Sequence, residues 1–149
     1  MNKLAAALVL SMLFGDALIA HAQSPAQTVD QVPPAADQLG ASVPEVKKAI
    51  LAATGYDAAA VDLAATNIDF VVTLVNSKLA SGSNAARENE ASKIASVIAD
   101  AISGKEEFKG ILALHIDYVT RDADGSHTRT VDKIDFRKDP QGRFLHHVS

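Results

Sequence analysis

Two ionisable residues whose spacing suits proton transfer, His115 and Asp117, lie within the stretch ILALHIDYVT at residues 111–120. Side chains two positions apart in a β-strand point to the same face of the sheet. A carboxylate beside an imidazole can orient the ring for general acid or base catalysis when a cleft lies above the pair. His115 and Asp117 are therefore the candidate catalytic residues. The alternative interpretation is that both face solvent on an antiparallel strand.

Motifs for nucleophilic catalysis and for cofactor binding are absent from the sequence. It contains no cysteine, no G-x-S-x-G turn and no S-x-x-K sequence that would supply an activated nucleophile. Glycine-rich loops of the kind that cradle nucleotide phosphates are also missing. We therefore predict no cofactor, and an enzyme built on this chain would depend on His115 and Asp117.

Two sequence features could bind a metal ion, and each has a simpler explanation. Asp122, Asp124 and Gly125 resemble part of a calcium loop, but the first and twelfth positions of that loop would be Thr120 and Val131, which supply too few oxygen ligands for calcium. Asp124-Gly125 is instead a strong hairpin signal. His146 and His147 are adjacent, so in a strand they would point to opposite faces and could not easily share one ion. No metal site is predicted.

Basic residues concentrate near the carboxyl end of an otherwise acidic chain. Residues 23–125 carry 8 Lys and Arg against 14 Asp and Glu, whereas residues 126–149 carry 5 against 3. The overall acidity argues against nucleic-acid binding, which needs a broad basic face. A local cluster can still recognise an anion, although such charges also protect a sheet edge from pairing. The candidate anion-binding residues are Arg129, Lys133, Arg137, Lys138 and Arg143.

The first 22 residues have the three parts of a secretory signal peptide. Lys3 supplies the basic region, residues 4–14 the apolar region, and residues 20–22 the A-x-A cleavage site. Asp16 interrupts the apolar run before it reaches the roughly 20 residues that a bilayer span needs. We therefore expect a periplasmic or extracellular protein, cleaved near Ala22, with no membrane span after cleavage.

The proline-rich residues 23–41 have few large apolar side chains, a composition typical of a flexible linker. The remaining residues, 42–149, are enough for one domain with a single core. Because the chain has no cysteine, that core must hold the domain together without disulfides.

Apolar periodicity predicts a short and a long helix. Ser42 and Glu45 form a capping-box sequence ahead of a short helix at about 43–54, which Gly55 ends. A long helix at about 84–103 follows from a stripe of small and branched apolar residues. That stripe comprises Ala91, Ile94, Val97, Ile98, Ala101 and Ile102.

Alternating and β-branched residues predict strands at 68–75, 111–119, 129–136 and 144–148, while residues 57–65 fit either a helical turn or a strand. A β-bulge near Asp132 or Lys133 is needed to keep both Val131 and Ile134 inward. A crossover of the long helix gives an α+β two-layer domain. Both helices are then expected to pack on a mainly antiparallel sheet of three to four strands.

The stretch VVTLVNSKLASGSNAARENEASKIASVIADAI, residues 71–102, resembles the strand, loop and helix of exported BON-type domains, which are associated with cell-envelope binding. It lacks the usual glycine of that pattern, and the two terminal strands lie outside it. The order of strand, long helix and antiparallel strands is also similar to cystatin-like folds, in which a curved sheet cradles one helix.

From these features we expect a small, exported, soluble, non-enzymatic binding module. Its partner would be a protein or a cell-envelope component, and the basic cluster allows an anionic one. One alternative is a small secreted enzyme that uses His115 and Asp117 as an acid/base pair. Another is an inhibitor-like or structural secreted domain.

Signal-peptide cleavage is directly testable. Mass spectrometry of exported protein should give an amino terminus at Gln23, because cleavage is expected after Ala22. Retention of Met1 in the exported material would contradict the predicted localisation.

Overall fold

The computed structural model describes residues 35–148. Within that range the chain forms two α-helices and five β-strands. They run in the order α1 (Ala35–Thr54), β1 (Val61–Ala65), β2 (Asp69–Val75), α2 (Asn84–Ile102), β3 (Ala113–Arg121), β4 (Thr128–Lys138) and β5 (Phe144–His146).

The five strands form one mixed sheet in the order β1-β2-β3-β4-β5. The pair β2 and β3 is parallel, and the other three neighbouring pairs are antiparallel. Parallel neighbours need a long crossover, and α2 lies within the one between β2 and β3. The predicted α+β class and the predicted crossover helix are therefore confirmed.

The hydrophobic core lies between the helices and one face of the sheet. Alternate residues of β2 and β3 are fully buried together with apolar residues of both helices. These strand residues are Phe70, Val72, Leu74, Leu114, Ile116 and Tyr118. Helix α1 contacts β1 and α2, and α2 contacts β4 and β5, so the helices form the second layer of the domain.

Helix α1 begins at Ala35, not near residue 43 as the sequence predicts. The helix runs through Pro44, because Leu39 joins Val46 and Ile50 in the core at helical spacing. Ser42 therefore does not cap the helix, and its hydroxyl donates to Glu107 at 2.6 Å. The expected short helix is 20 residues long, and it includes part of the stretch assigned to a linker.

Helix α2 matches its prediction closely, since it spans Asn84–Ile102. Ser83 caps the amino end by accepting from the backbone N–H of Ala86 at 3.3 Å. Gly104, with φ of 73°, follows the carboxyl end in the left-handed conformation that glycine adopts without strain.

The sheet has one strand more than the largest predicted number. The extra strand β1 lies at 61–65, within the stretch that the sequence left open. Strand β3 starts at Ala113, two residues later than predicted. Leu112, just before the strand, is 58% exposed, whereas Ile111 is fully buried.

The predicted β-bulge is present in β4. Tyr118 is opposite Asp132 and Val119 is opposite Thr130. Val131 is therefore the extra residue of a bulge, next to its expected place.

The predicted signal peptide and most of the predicted linker lie outside the described residues. Among residues 35–148, none of the helices has the length and apolar character required to cross a membrane.

Ile98 tests the packing of α2, because its side chain is fully buried. Ile98→Asp should unfold the domain, since an unpaired charge would enter the core. Ser96→Asp is the matched control, because Ser96 is exposed on the same helix. Thermal melting should show a folded control and an unfolded Ile98 variant; equal melting temperatures would contradict this packing.

Candidate functional site

The face of the sheet opposite the helices, here called the open face, carries the sequence-predicted acid/base pair. Residues that alternate with the core positions point to it. The central part of the open face consists of Asp69, Val71 and Thr73 on β2, His115 and Asp117 on β3, and Lys133 and Asp135 on β4. Among the described residues, both helices pack on the other side of the sheet.

His115 is held by Asp135, not by the expected neighbour Asp117. The Nδ1–H of His115 donates to Oδ1 of Asp135 at 2.6 Å, and the two residues are directly opposite in the β3–β4 register. Their side chains are only 21% and 30% exposed. The bond therefore fixes the ring in one orientation on the middle strand.

The other ring nitrogen of His115 faces a second carboxylate. Its Nε2 is 3.9 Å from Oδ1 of Asp69. Asp69 is two residues before Val71, the residue opposite His115 on the parallel strand β2. This distance is too long for a hydrogen bond, but it permits Coulomb attraction when the imidazole is protonated. Three adjacent strands thus contribute to one Asp-His-Asp arrangement.

Asp117 shares the open face with His115, but its carboxylate lies in different surroundings from those of Asp135. Its Oδ1 is buried and has no hydrogen-bond partner among the described residues. Burial raises the pKa of Asp117, while Lys133, opposite it on β4, and His115 lower the pKa less strongly, and Asp135 raises it. The acid form of Asp117 is therefore favoured more than in an exposed aspartate.

The open face can orient an imidazole and hold a proton, but it does not assemble a metal centre. Within residues 35–148, no group of three or more His, Asp and Glu side chains is arranged to hold a metal ion. His146 packs against the ring of Phe136 with centroids 5.6 Å apart, and His147 is exposed. The arrangement is suited to acid/base chemistry or to hydrogen bonding with a partner.

A cleft of about 240 Å³ lies between the carboxyl end of α2 and the β4–β5 turn. We call it the terminal cleft. Lys105 and Lys109 line it from the segment after α2, Lys138 and Arg143 from the terminal hairpin, and Asp100 is its acidic lining residue. Four basic side chains from distant parts of the sequence therefore converge there.

Two of these four cations already have a carboxylate partner. Lys109 Nζ is 2.6 Å from Glu106, and Arg143 Nη2 is 2.7 Å from Asp139. Lys109 and Glu106 are both more than half exposed, so their pair is weak in water. Asp139 is only 8% exposed and also accepts from Nε of Arg143 at 2.8 Å, so Arg143 is held more firmly. The Lys105 ammonium lies 5.9 Å from the centre of the Phe108 ring, a cation–π distance.

The five basic residues predicted as one cluster occupy three different places. Lys138 and Arg143 line the terminal cleft. Arg129 lines a second cleft beyond the bulge of β4. Lys133 and Arg137 alternate with core positions of β4 and belong to the open face. Alternation along the strand and the bulge separate them.

Sequence reasoning missed Lys105 and Lys109, which come from the charged stretch KEEFKG. Its mixed signs are typical of a solvated turn, so the stretch gives no local signal for a binding site. Only the packing of that turn beside the β4–β5 hairpin brings its lysines to Lys138 and Arg143.

Asp117 and Asp135, which lie near His115, should have opposite effects on stability. Since the folded state raises the pKa of Asp117 above its ordinary 3.8, the folded chain binds that proton more tightly than the unfolded chain does. This contribution to stability is present at low pH and is lost as the pH rises through the folded pKa. Asp117→Asn should therefore raise the melting temperature at pH 7 relative to wild type, and the difference should shrink towards pH 3.

Asp135→Asn is the comparison variant. It weakens the bond to His115 and should cost about 1–2 kcal/mol of unfolding free energy. Melting curves between pH 3 and 8 provide the measurement. Destabilisation by Asp117→Asn at pH 7 would show that its charge supports the fold.

Comparison of the chain with protein families, curated proteins and solved structures finds no match.

Proposed function

We propose that this protein is a non-enzymatic binding module that takes an anionic group of its partner in the terminal cleft. The observation that carries the proposal is the convergence of four basic residues on one concave surface, namely Lys105, Lys109, Lys138 and Arg143. Asp100 is the one acidic residue among those that line it. Charged donors around a cleft form short, strong hydrogen bonds to carboxylate or phosphate oxygens.

The ion pair between Lys109 and Glu106 does not prevent such binding. Glu106 and Lys109 are 79% and 68% exposed, and exposed pairs contribute about 1 kcal/mol or less. A ligand that offers two anionic oxygens can replace that interaction. Lys105 and Lys138 have no carboxylate partner among the described residues, so they are available first.

The size of the cleft favours part of a larger molecule. Pockets for drug-sized ligands measure roughly 300–1,000 Å³, whereas this cleft measures about 240 Å³. It suits one acidic sugar of a polymer, or one acidic side chain of a protein. Both fit a partner in the cell envelope, and we propose that the protein acts in the periplasm or outside the cell.

The open face supports a second candidate function, a small secreted hydrolase with His115 as general base. The observation in its favour is the 2.6 Å bond to Asp135, which leaves Nε2 to accept a proton. Asp135 then orients the imidazole ring, the role predicted from the sequence for Asp117. A hydrolase screen of wild type against His115→Ala decides it, since activity that survives in the variant excludes this role.

Binding of galacturonate, compared with neutral galactose, tests the proposed function. Isothermal calorimetry at low salt should detect the acid and not the neutral sugar, since only the acid carries the carboxylate. Changing Lys138 and Arg143 together to Gln should weaken binding about tenfold or more, because two charge-assisted contacts are lost.

Lys48→Gln is the control, because it removes one exposed lysine of α1, away from the cleft. Its affinity should equal that of wild type. Equal binding of the two sugars, or equal affinities of the double variant and the control, would contradict the proposal.

A further inference from the structure

The loop between β2 and α2, residues 76–83, is fixed far more firmly than a connecting segment requires. Asn76 begins it in the left-handed conformation with φ of 53°, which costs energy for a residue other than glycine. Its side chain donates to the carbonyl of Arg121 at 2.9 Å and accepts from the N–H of Arg121 at 2.8 Å. The strained residue thus ties the loop to the end of β3.

A buried arginine fixes the same loop from the side of the helix. Arg87 is 6% exposed and donates to the carbonyls of Leu79 and Gly82, at 3.2 and 2.6 Å. It also donates to the side chain of Asn84 and, at 2.7 Å, to Asp132 on β4. One guanidinium therefore links the loop, α2 and the bulged part of β4.

Ser77 provides the third attachment. Its side-chain oxygen accepts from the N–H of Leu79 at 3.1 Å and lies 2.5 Å from the hydroxyl of Tyr56. Tyr56 in turn donates to Glu90 at 2.9 Å. A loop that is already held in place lowers the entropic cost of binding at a neighbouring concave surface, because it needs little ordering when the ligand arrives.

A cleft of about 350 Å³, here called the loop cleft, lies against this loop. Lys78 and Ser81 line it from the loop, Thr120 from β3 and Arg129 from β4, and none of its lining residues is acidic. Lys78 and Arg129 form no ion pair with any residue in the described range 35–148. The loop cleft therefore combines two uncompensated cations with two hydroxyl groups.

We propose that the loop cleft is a second anion site, which binds tetrahedral oxyanions of the phosphate class. The Arg129 guanidinium can bind two oxygens of such a group through parallel N–H donors, and Lys78 adds a point charge. Ser81 supplies a neutral donor for a further oxygen. The Thr120 hydroxyl donates to the carbonyl of Arg129 over a long 3.5 Å, a weak bond that an oxyanion can replace. The loop cleft shares no lining residue with the terminal cleft, so the two sites can be tested separately.

Titration with inorganic phosphate, followed by amide NMR, tests the loop cleft. The signals of Ser81, Thr120 and Arg129 should shift in a saturable manner. Arg129→Gln should weaken binding about tenfold, and Arg129→Lys should weaken it less. The matched control is Lys93→Gln, which removes one exposed positive charge of α2 outside both clefts and should leave the affinity unchanged.

A second titration with glycerol 3-phosphate distinguishes free phosphate from a phosphate ester. Tighter binding of the ester assigns the site to phosphorylated partners, and tighter binding of inorganic phosphate assigns it to the free ion. Equal affinities of Arg129→Gln and Lys93→Gln for both probes would overturn the proposal. So would saturable shifts confined to the terminal cleft. Loss of galacturonate binding bears only on the terminal cleft.

Discussion

The parallel pairing of β2 with β3 is the constraint on which the rest of this structure depends. Two parallel neighbours cannot be joined by a tight hairpin, so residues 76–112 carry the chain back along the sheet, with α2 in the middle. The loop cleft is formed by the first part of this connection, and the terminal cleft by its last part. The same pairing sets Asp69 on β2 near His115 on β3. Each candidate site therefore derives from one crossover.

The inner face of α2 is partly polar, and this polarity organises the amino-terminal half of the helix. Glu90 accepts a hydrogen bond from Tyr56 and from Tyr118, at 2.9 and 3.0 Å. Burial first and then the neighbouring Glu90 raise the pKa of Tyr118 well above its ordinary value, so this hydroxyl remains a donor.

Arg87 on the same helix forms an ion pair with Asp132 of β4. A buried ion pair adds little net stability, but the loss of one partner is costly. The pair of Arg87 and Asp132 therefore acts mainly as a specific attachment.

Local patterns in the sequence predict much of this fold. The stripe of Ile94, Ile98 and Ile102 predicts the bounds of α2 almost to the residue, because the spacing of apolar residues along the sequence is enough to identify a long amphipathic helix. The start of α1 is missed because Ser42 and Glu45 form a capping-box sequence, whereas burial of Leu39 extends the helix past them. The sequence leaves residues 57–65 open between a helical turn and a strand, because strand β1 in this alanine-rich stretch owes its conformation to pairing with β2.

The candidate sites are less predictable, since they depend on contacts between distant segments. That His115 and Asp117 share a face follows from strand alternation alone. That Asp135 is the hydrogen-bond partner follows from the β3–β4 register, which the position of the hairpin turn and the bulge at Val131 determine together. Lys105 meets Lys138 for a similar reason, because the end of α2 packs beside the terminal hairpin.

The fate of the basic carboxyl-terminal residues shows what kind of recognition the fold allows. They are close together in the sequence. In the structure, strand alternation places Lys133 and Arg137 on the open face and Lys138 in the terminal cleft. The bulge then places Arg129 in the loop cleft. A continuous basic surface, such as an extended polyanion requires, is thereby divided into separate small sites. Discrete anionic groups, held one at a time in concave surfaces, are the ligands that this division favours.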